Sequence, residues 1–327
     1  MTAGALLETI ELTKQFVVGN RFSALGKRIV HAVDGVSLQV MPGETVGLVG
    51  ESGCGKSTLG RCMVRLYNIT AGRLLFDGTD ITDKSLRRLR PLRRQMQMVF
   101  QDPYASLNPR RRVRDIIAEP LRVHLKLGEK GVRERVRELM SLVGLAPEYA
   151  DRFPHEFSGG QRQRIGIARA LALEPRLVVA DEPVSARDVS VQAQIVNLLA
   201  DLQERLNLTY VFVAHDLSVV RQVSTRIAVM YLGSIIELGP AATIFARPAH
   251  PYTLALLSAV PVADVRQAGT RKRIVLSGDV PSPINPPEGC RFHPRCAFAT
   301  DRCRIERPKL EPLGGGRSVA CHYPQAG

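Results

Sequence analysis

Hydrophobic and polar positions follow each other along the chain in patterns that predict several β-strands. Val36–Val40 alternates apolar and polar residues, as a strand with one buried face does. Three short runs are apolar almost throughout, which is typical of strands covered on both faces: Thr45–Val49, Leu177–Ala180 and Tyr210–Ala214. The sequence therefore predicts a sheet with buried central strands.

Segments with helical spacing lie between these strands. Thr58–Leu66 and Val189–Leu206 have this spacing, and Val113–Val143 has it with one interruption. Leu86–Arg94 is rich in arginine, and its simplest interpretation is the solvated face of a surface helix. A second basic run, Arg110–Arg114, could face a membrane or a partner. Strands that alternate with helices predict an α/β core with a parallel sheet.

Composition limits the classes of protein that fit this pattern. The chain has 327 residues, 45% hydrophobic and 23% charged, which suits a folded protein of about two domains. The net charge of +14 is compatible with nucleic acid, anionic lipid and nucleotide phosphates alike. Thr253–Ala263 is too short for a membrane span, and Glu8 and Glu11 do not fit a signal peptide. We therefore expect a cytoplasmic chain whose membrane role is peripheral.

A glycine-rich segment follows the predicted strand at Thr45–Val49. Gly50–Ser57 matches G-x-x-x-x-G-K-[ST] in full, and helical spacing follows it, as a phosphate-binding loop requires. Glycines let backbone N–H groups approach phosphate oxygens, Lys56 supplies a positive charge, and the Ser57 hydroxyl can ligate Mg²⁺. We expect nucleotide contacts from Gly50, Ser52, Gly53, Cys54, Gly55, Lys56, Ser57 and Thr58.

An acidic pair ends the apolar run Leu177–Ala180. Asp181 is the candidate for holding Mg²⁺, directly or through water. Glu182 is the candidate general base that polarises the attacking water. On its own, such a pair is more often a turn at the end of a strand, but the phosphate loop upstream favours the catalytic interpretation.

The segment Phe157–Gln161 has the sequence FSGGQ, and this motif distinguishes one class of nucleotide-binding protein from the others. It resembles the signature sequence of ABC-type ATPases, and Gln101, the acidic pair and His215 follow the order of that family. The resemblance implies an α/β P-loop ABC-type ATPase, in which a parallel-sheet core carries antiparallel β and helical subdomains. The composition becomes proline-rich after about residue 246, which sets the nucleotide-binding domain at 1–246, and the resemblance places the helical subdomain at about 104–175.

The resemblance also implies roles for individual residues. Two subunits would form a head-to-tail dimer with two ATP molecules at the interface. Gln101 would contact Mg²⁺ and water, and His215 would position that water together with Glu182. Phe16 is the candidate for stacking on adenine. The γ-phosphate on the other subunit's loop would meet the helix start formed by Ser158, Gly159, Gly160 and Gln161.

Within the ABC class, the motifs look like those of the ATPase subunits of oligopeptide and dipeptide importers. Such importers commonly pair two different ATPases, and Gln161 and Val184-Ser185 look more like the F-type than the D-type subunit. The resemblance implies four partner chains: a D-type ATPase subunit in a heterodimer, two transmembrane permeases and a solute-binding protein. It implies a peripheral location on the cytoplasmic face of the cell membrane, where Tyr104–Arg114 would dock against the permeases.

Four cysteines cluster in the proline-rich C-terminal segment, with the spacing Cys290-x5-Cys296-x6-Cys303-x17-Cys321. We expect this segment, 247–327, to be a small irregular module of the oligopeptide-importer type. Its thiolates could ligate zinc or an iron–sulfur cluster, or stay reduced and unligated. The resemblance favours [4Fe-4S], with zinc as the alternative. Because this module is separate from the loop motif, we expect serine at any one of the four cysteines to loosen the module and to leave nucleotide binding by Lys56 and Ser57 largely intact.

Functions other than peptide import also have to be considered for these motifs. The same machinery could import another solute, such as nickel or a glycoside. A soluble ABC ATPase acting on nucleic acid or ribosomes usually has two cassettes or a coiled coil, so a nucleic-acid partner is not expected. A non-hydrolysing partner subunit is disfavoured by the intact Glu182 and His215.

The sequence departs from the family pattern at Arg187, which occupies a position where the family usually has leucine.

Overall fold

The computed structural model describes residues 4–19, 27–184, 189–260 and 274–325, so Arg187 lies outside the described residues. The strands are β1 (Leu7–Val18), β2 (Arg28–Val40), β3 (Thr45–Val49), β4 (Ala71–Phe76), β5 (Thr79–Asp80), β6 (Met96–Val99), β7 (Leu177–Asp181), β8 (Thr209–Ala214), β9 (Arg226–Tyr231), β10 (Ser234–Pro240), β11 (Glu311–Gly314) and β12 (Arg317–Val319). The helices are α1 (Lys56–Met63), α2 (Leu86–Arg93), α3 (Pro103–Ser106), α4 (Val113–His124), α5 (Glu129–Leu142), α6 (Gly159–Leu171), α7 (Val189–Leu206), α8 (Leu217–Val223), α9 (Ala241–Ala246), α10 (Pro251–Ser258) and α11 (Asp301–Ile305). Short 3₁₀ turns cover Pro147–Asp151, Pro154–Glu156 and His293–Arg295.

The chain divides into two units. The first comprises Met1–Val40, Glu44–Asp83 and Ala214–Gly327. In it, β1 lies between β2 and β4 and is antiparallel to both, with β5 at the edge. A second group of strands runs in the order β11, β12, β10, β9 and β3, and β3 pairs with β9 in parallel. All five residues of β3 are buried, as its continuous apolar sequence predicts.

The second unit comprises Met41–Gly43 and Lys84–Val213. Its strands β6, β7 and β8 form a parallel set with β7 in the middle, which confirms the predicted parallel core. Helices α3 to α6 lie between β6 and β7 in the sequence, and α4 packs against both α5 and α6. The predicted interruption separates α4 from α5 at residues 125–128. Of the helices described, none is long and apolar enough to cross a bilayer.

The C-terminal segment is more regular than the sequence predicts. β11 and β12 form a hairpin, and β12 pairs with β10 through Glu237↔Val319 and Leu238↔Ser318. The prediction of a small irregular module is therefore wrong in this part. It failed because these strands are short and their partner β10 lies far away in sequence, so no local pattern marks them.

Two arginines of the C-terminal segment hold an aspartate of β2. Arg291 and Arg307 both donate to Asp34 Oδ2, the latter over 2.7 Å, and Arg307 also donates to Ser234 Oγ. Burial alone would raise the pKa of Asp34, but the two guanidinium groups outweigh it and hold the pKa below its ordinary value of 3.8. The segment is thus fixed to the sheet formed by β1, β2, β4 and β5.

This ion-pair cluster gives a pH-dependent prediction. We expect Asp34→Asn to lower the free energy of unfolding by about 1.5–3 kcal/mol at neutral pH, because hydrogen bonds to a charged group are lost. Since the pKa is lowered on folding, the stabilisation is complete above pH 3.8 and is lost as the pH falls through the folded-state value. Urea unfolding at several pH values measures this difference. Asp301→Asn, at a fully exposed position, is the control and should change stability little at any pH.

Candidate nucleotide site

The phosphate loop lies in the first unit, between β3 and α1. Gly50 and Gly55 have φ values of 152° and 104°, which favour glycine. A Cβ at Gly50 would overlap the backbone oxygen of Met230, and one at Gly55 would overlap that of Ala32. The loop is therefore packed closely against neighbouring backbone, and glycine is required at both positions.

A comparison of two glycines tests this packing. Gly55→Ala must accept both a positive φ and a collision with backbone, whereas Gly53→Ala, at φ 79°, faces open space. We expect Gly53→Ala to cost about 1–2 kcal/mol of stability for the left-handed conformation, and Gly55→Ala to cost clearly more. Thermal unfolding without nucleotide measures both. Equal costs would show that the loop does not pack as described.

Lys56 begins α1 and turns back over the loop. Its ammonium group donates to the backbone oxygens of Gly50 and Glu51 over 2.8 and 2.9 Å, and the side chain is 4% exposed. Cys54 Sγ lies 3.8 Å from the same nitrogen. Cys54 is buried, and burial raises the pKa of its thiol, which disfavours the reactive thiolate form.

The start of α1 offers ligands for phosphate and Mg²⁺. Ser57 and Thr58 lie in its first turn, where backbone N–H groups and the helix dipole favour an anion. The half-buried Ser57 hydroxyl is a hard oxygen ligand of the kind that Mg²⁺ prefers. Ser52 and Gly53, at the tip of the loop, are exposed.

Two further predicted residues lie in this first unit. Phe16, on β1, is half-buried and meets Tyr67 edge-on, with the ring centroids 5.5 Å apart. Lys14 Nζ lies 4.7 Å from the centroid of the Phe16 ring. His215 is exposed directly after β8 and precedes Asp216, which caps α8 by accepting from Ser218 N.

The second unit contains the acidic pair and Gln101. Asp181 ends β7 and is completely buried, a carboxylate position that suits a cation. Glu182 follows with φ 43°, an uncommon backbone conformation for a side-chain-bearing residue. Its N–H donates to Val213 O over 2.9 Å, and its Oε2 accepts from Gln101 Nε2 over 2.8 Å. The structure thus brings Gln101 and Glu182 together, as expected if both serve one reaction.

The FSGGQ motif forms the start of α6. Ser158 is the N-cap, and its hydroxyl accepts from Gln161 N over 3.3 Å while Gln161 Oε1 accepts from Ser158 N over 3.0 Å. This reciprocal capping fixes the first turn. Gly159 is exposed, and a Cβ on it would meet nothing within 4 Å. The helix start therefore presents an accessible surface with the positive end of its dipole.

The four C-terminal cysteines lie around one narrow pocket with His250, Phe292, His293, Phe298, His322 and Tyr323. All four are free thiols. Burial raises the pKa of three of them, and that of Cys321 reaches about 11. In the described part of the chain, no three histidine, cysteine or acidic side chains are close enough together to hold one metal ion. The expected zinc or [4Fe-4S] group thus has a shared pocket but no set of ligands gathered on a single ion.

Two contacts to the phosphate loop were not predicted. Arg295 and Tyr252, both in the C-terminal segment, hydrogen-bond to Glu51 inside the loop. No spacing signal could reveal them, because 201 and 244 residues separate the partners. The expectation that the C-terminal segment is separate from the loop is wrong, since the segment touches it directly.

Three features together define an ABC-type nucleotide-binding ATPase. They are a phosphate loop between a buried strand and a helix, an acidic pair at the end of another buried strand, and a helix that begins with two glycines and has a serine N-cap. Comparison with known proteins agrees. Residues 33–185 match the model of the ABC transporter family, and residues 236–303 match that of the C-terminal region of oligopeptide and dipeptide transporters.

Relatives that match this chain over nearly its whole length show to which group of ABC ATPases it belongs. The oligopeptide transport ATP-binding protein AppF of Bacillus subtilis is 53% identical over 97% of each chain. The dipeptide transport ATP-binding protein DppF of Haemophilus influenzae is 50% identical over 97% of this chain and 96% of the relative. The chain therefore belongs to the family of ATP-binding subunits of oligopeptide and dipeptide ABC transporters, and it is an ATPase.

Solved structures agree with the fold. A dimeric ATP-binding cassette in a post-hydrolysis state with ADP and phosphate is 30% identical, with a TM-score of 0.65 over 72% of this chain and 98% of that one. CbiO1 of Clostridium perfringens, part of an ABC transporter complex, is 30% identical, with a TM-score of 0.64 over 74% of this chain and 91% of that one.

Proposed function

We propose that this chain powers the import of peptides of the dipeptide or oligopeptide class through a membrane ABC transporter. The observation that carries the proposal is the match of residues 236–303 to the C-terminal region of oligopeptide and dipeptide transporters. Many ABC ATPases share the cassette, so this second region is what favours peptides over nickel or a glycoside. The names of the AppF and DppF relatives support the same class.

In the proposed reaction, Glu182 accepts a proton from the attacking water, and Gln101 orients the Glu182 carboxylate through their hydrogen bond. Lys56 and the N-terminus of α1 bind the phosphates, Phe16 stacks on adenine, and His215 orients the water. Ser57, Gln101 and Asp181 would hold Mg²⁺, which neutralises phosphate charge when bound. The signature residues Ser158 to Gln161 would serve the γ-phosphate on the loop of the other subunit.

The proposed assembly is a head-to-tail heterodimer. This chain would be the F-type subunit beside a D-type ATPase, on two permeases that receive solute from a binding protein. It would lie peripherally on the cytoplasmic face of the membrane, with residues 104–114 docked on the permeases. The exposed start of α6 supports this arrangement, because a second subunit has access to it.

For the C-terminal cysteines we propose a [4Fe-4S] cluster held by Cys290, Cys296, Cys303 and Cys321. Their common pocket supports a shared ligand. In a four-iron cluster each thiolate ligates a different iron, so the sulfurs need not converge on one point as they must around zinc. Such a cluster is therefore compatible with the described residues, among which no three candidate ligands gather on one ion.

Metal analysis tests the cluster. We expect anaerobically purified protein to be brown and to contain about four irons and four sulfides per chain. Cys303→Ser, which changes the most buried of the four, should lower the iron content, whereas Cys62→Ser, outside the pocket, should not. Protein that contains no iron and whose four thiols all react with an alkylating probe would contradict the proposal.

Uptake by cells tests the peptide substrate. We expect deletion of the gene to abolish accumulation of labelled di- or oligopeptides while leaving nickel and glycoside uptake unchanged. Complementation by the wild-type chain should restore peptide uptake, and Glu182→Gln should fail to do so. Loss of nickel or glycoside uptake alone would reassign the solute.

A further inference from the structure

Glu51, the second residue of the phosphate loop, is fixed at three points. Its N–H donates to the Tyr252 hydroxyl over 2.8 Å, and its backbone oxygen accepts from Lys56 Nζ over 2.9 Å. Its carboxylate accepts two bonds from the Arg295 guanidinium, of 2.7 and 3.1 Å. Both the backbone and the side chain of this loop residue are thus held, and two of the three partners belong to the C-terminal segment.

The two C-terminal partners are themselves rigid. Tyr252 is completely buried, and its ring packs edge-on against Tyr231 at 4.8 Å and Phe292 at 5.5 Å between centroids. Arg295 is 8% exposed and ends the short turn that begins at His293, with its N–H donating to Phe292 O over 3.0 Å. Because the Tyr252 and Arg295 side chains are held in this way, they fix the position of Glu51 and do not shift with the loop.

A bidentate arginine–carboxylate pair fixes the orientation of the carboxylate as well as its distance. A phosphate loop binds best when its N–H groups already point inward, because ordering a mobile loop on binding costs affinity. We propose that Arg295 and Tyr252 are positioning residues for the phosphate loop, so that the C-terminal segment is an integral part of the nucleotide site. This goes beyond the cassette motifs, none of which includes either residue.

The test compares the KM for ATP with kcat in the assembled transporter. Arg295→Met keeps the apolar packing of the side chain but loses the pair, and we expect the KM for ATP to rise about tenfold with kcat changed less than twofold. Arg295→Lys, which keeps the charge but not the two-point geometry, should give an intermediate KM. A loss of folded protein alone would lower the apparent kcat and leave KM unchanged.

Arg307→Met is the matched control. Arg307 anchors the same segment, but to Asp34 and Ser234, so its loss should leave the KM for ATP within twofold of the wild type. An equal rise in KM for Arg307→Met would mean that general loosening of the segment is responsible, and would overturn the proposal.

Tyr252→Phe keeps the proposal testable if Arg295→Met does not fold, because it removes one oxygen and preserves the ring packing. We expect it to raise the KM for ATP severalfold, since Glu51 N–H loses its acceptor. A double-mutant cycle of Glu51→Gln with Arg295→Met should show less than additive effects on ATP affinity. Unchanged KM in Tyr252→Phe together with additive effects in the cycle would refute the proposal.

Discussion

Glu182→Gln should bind ATP as the wild type does and lose about 10²–10⁴-fold of its turnover. The amide has nearly the shape of the carboxylate but cannot accept a proton from water, and loss of a general base typically costs this much. Glu182 lies directly after the buried strand β7, within hydrogen-bond distance of Gln101, so the substitution changes chemistry at a fixed position. Steady-state phosphate release by the assembled transporter, together with equilibrium ATP binding, measures both parts.

Glu138→Gln is the control for this change. Glu138 is exposed on α5, where it pairs with Arg135, so the same chemical substitution should leave turnover within twofold of the wild type. Near-normal ATP hydrolysis by the Glu182→Gln variant would show that Glu182 is not the general base.

Lys56→Met should weaken ATP binding about 10- to 100-fold. Hydrogen bonds to a charged group contribute about 1.5–3 kcal/mol, and each 1.4 kcal/mol corresponds to a factor of ten in affinity. The loss has two sources, because the ammonium group also ties the backbone oxygens of Gly50 and Glu51 within the loop. Isothermal titration of the full chain with ATP measures the change.

Lys309→Met serves as the control because Lys309 is exposed. It removes the same charge from the same unit, so it separates a local effect of Lys56 from the effect of net charge on an anionic ligand. Equal losses of affinity in the two variants would mean that net charge, rather than the loop, binds the nucleotide.

The nucleotide motifs could be found from sequence because their chemistry depends on neighbouring residues. The loop needs glycines and a lysine within eight positions, and the acidic pair needs an apolar strand directly before it; β3, α1 and β7 lie where these patterns predict. The arginine-rich Leu86–Arg94 segment likewise forms a helix, α2, in which only Leu89 is buried.

Contacts between distant segments could not be found in this way. The pairs Arg295–Glu51 and Arg291–Asp34 join residues more than 240 positions apart. The strand β12 pairs with β10, although no local sequence pattern in either strand indicates this pairing. Each depends on where the fold brings the C-terminal segment. A single sequence specifies that position only through the complete set of packing interactions. The separation inferred from composition near residue 246 therefore missed a direct contact with the loop.

The central claim, that ATP hydrolysis by this chain drives solute import, is tested most directly in reconstituted vesicles. The transporter is inserted with the permeases, the second ATPase and the solute-binding protein, and labelled peptide uptake is followed alongside phosphate release. We predict that peptide accumulates only when ATP is supplied on the side that carries this chain, and that Glu182→Gln stops accumulation. Peptide accumulation that continues at the wild-type rate with Glu182→Gln would contradict the account.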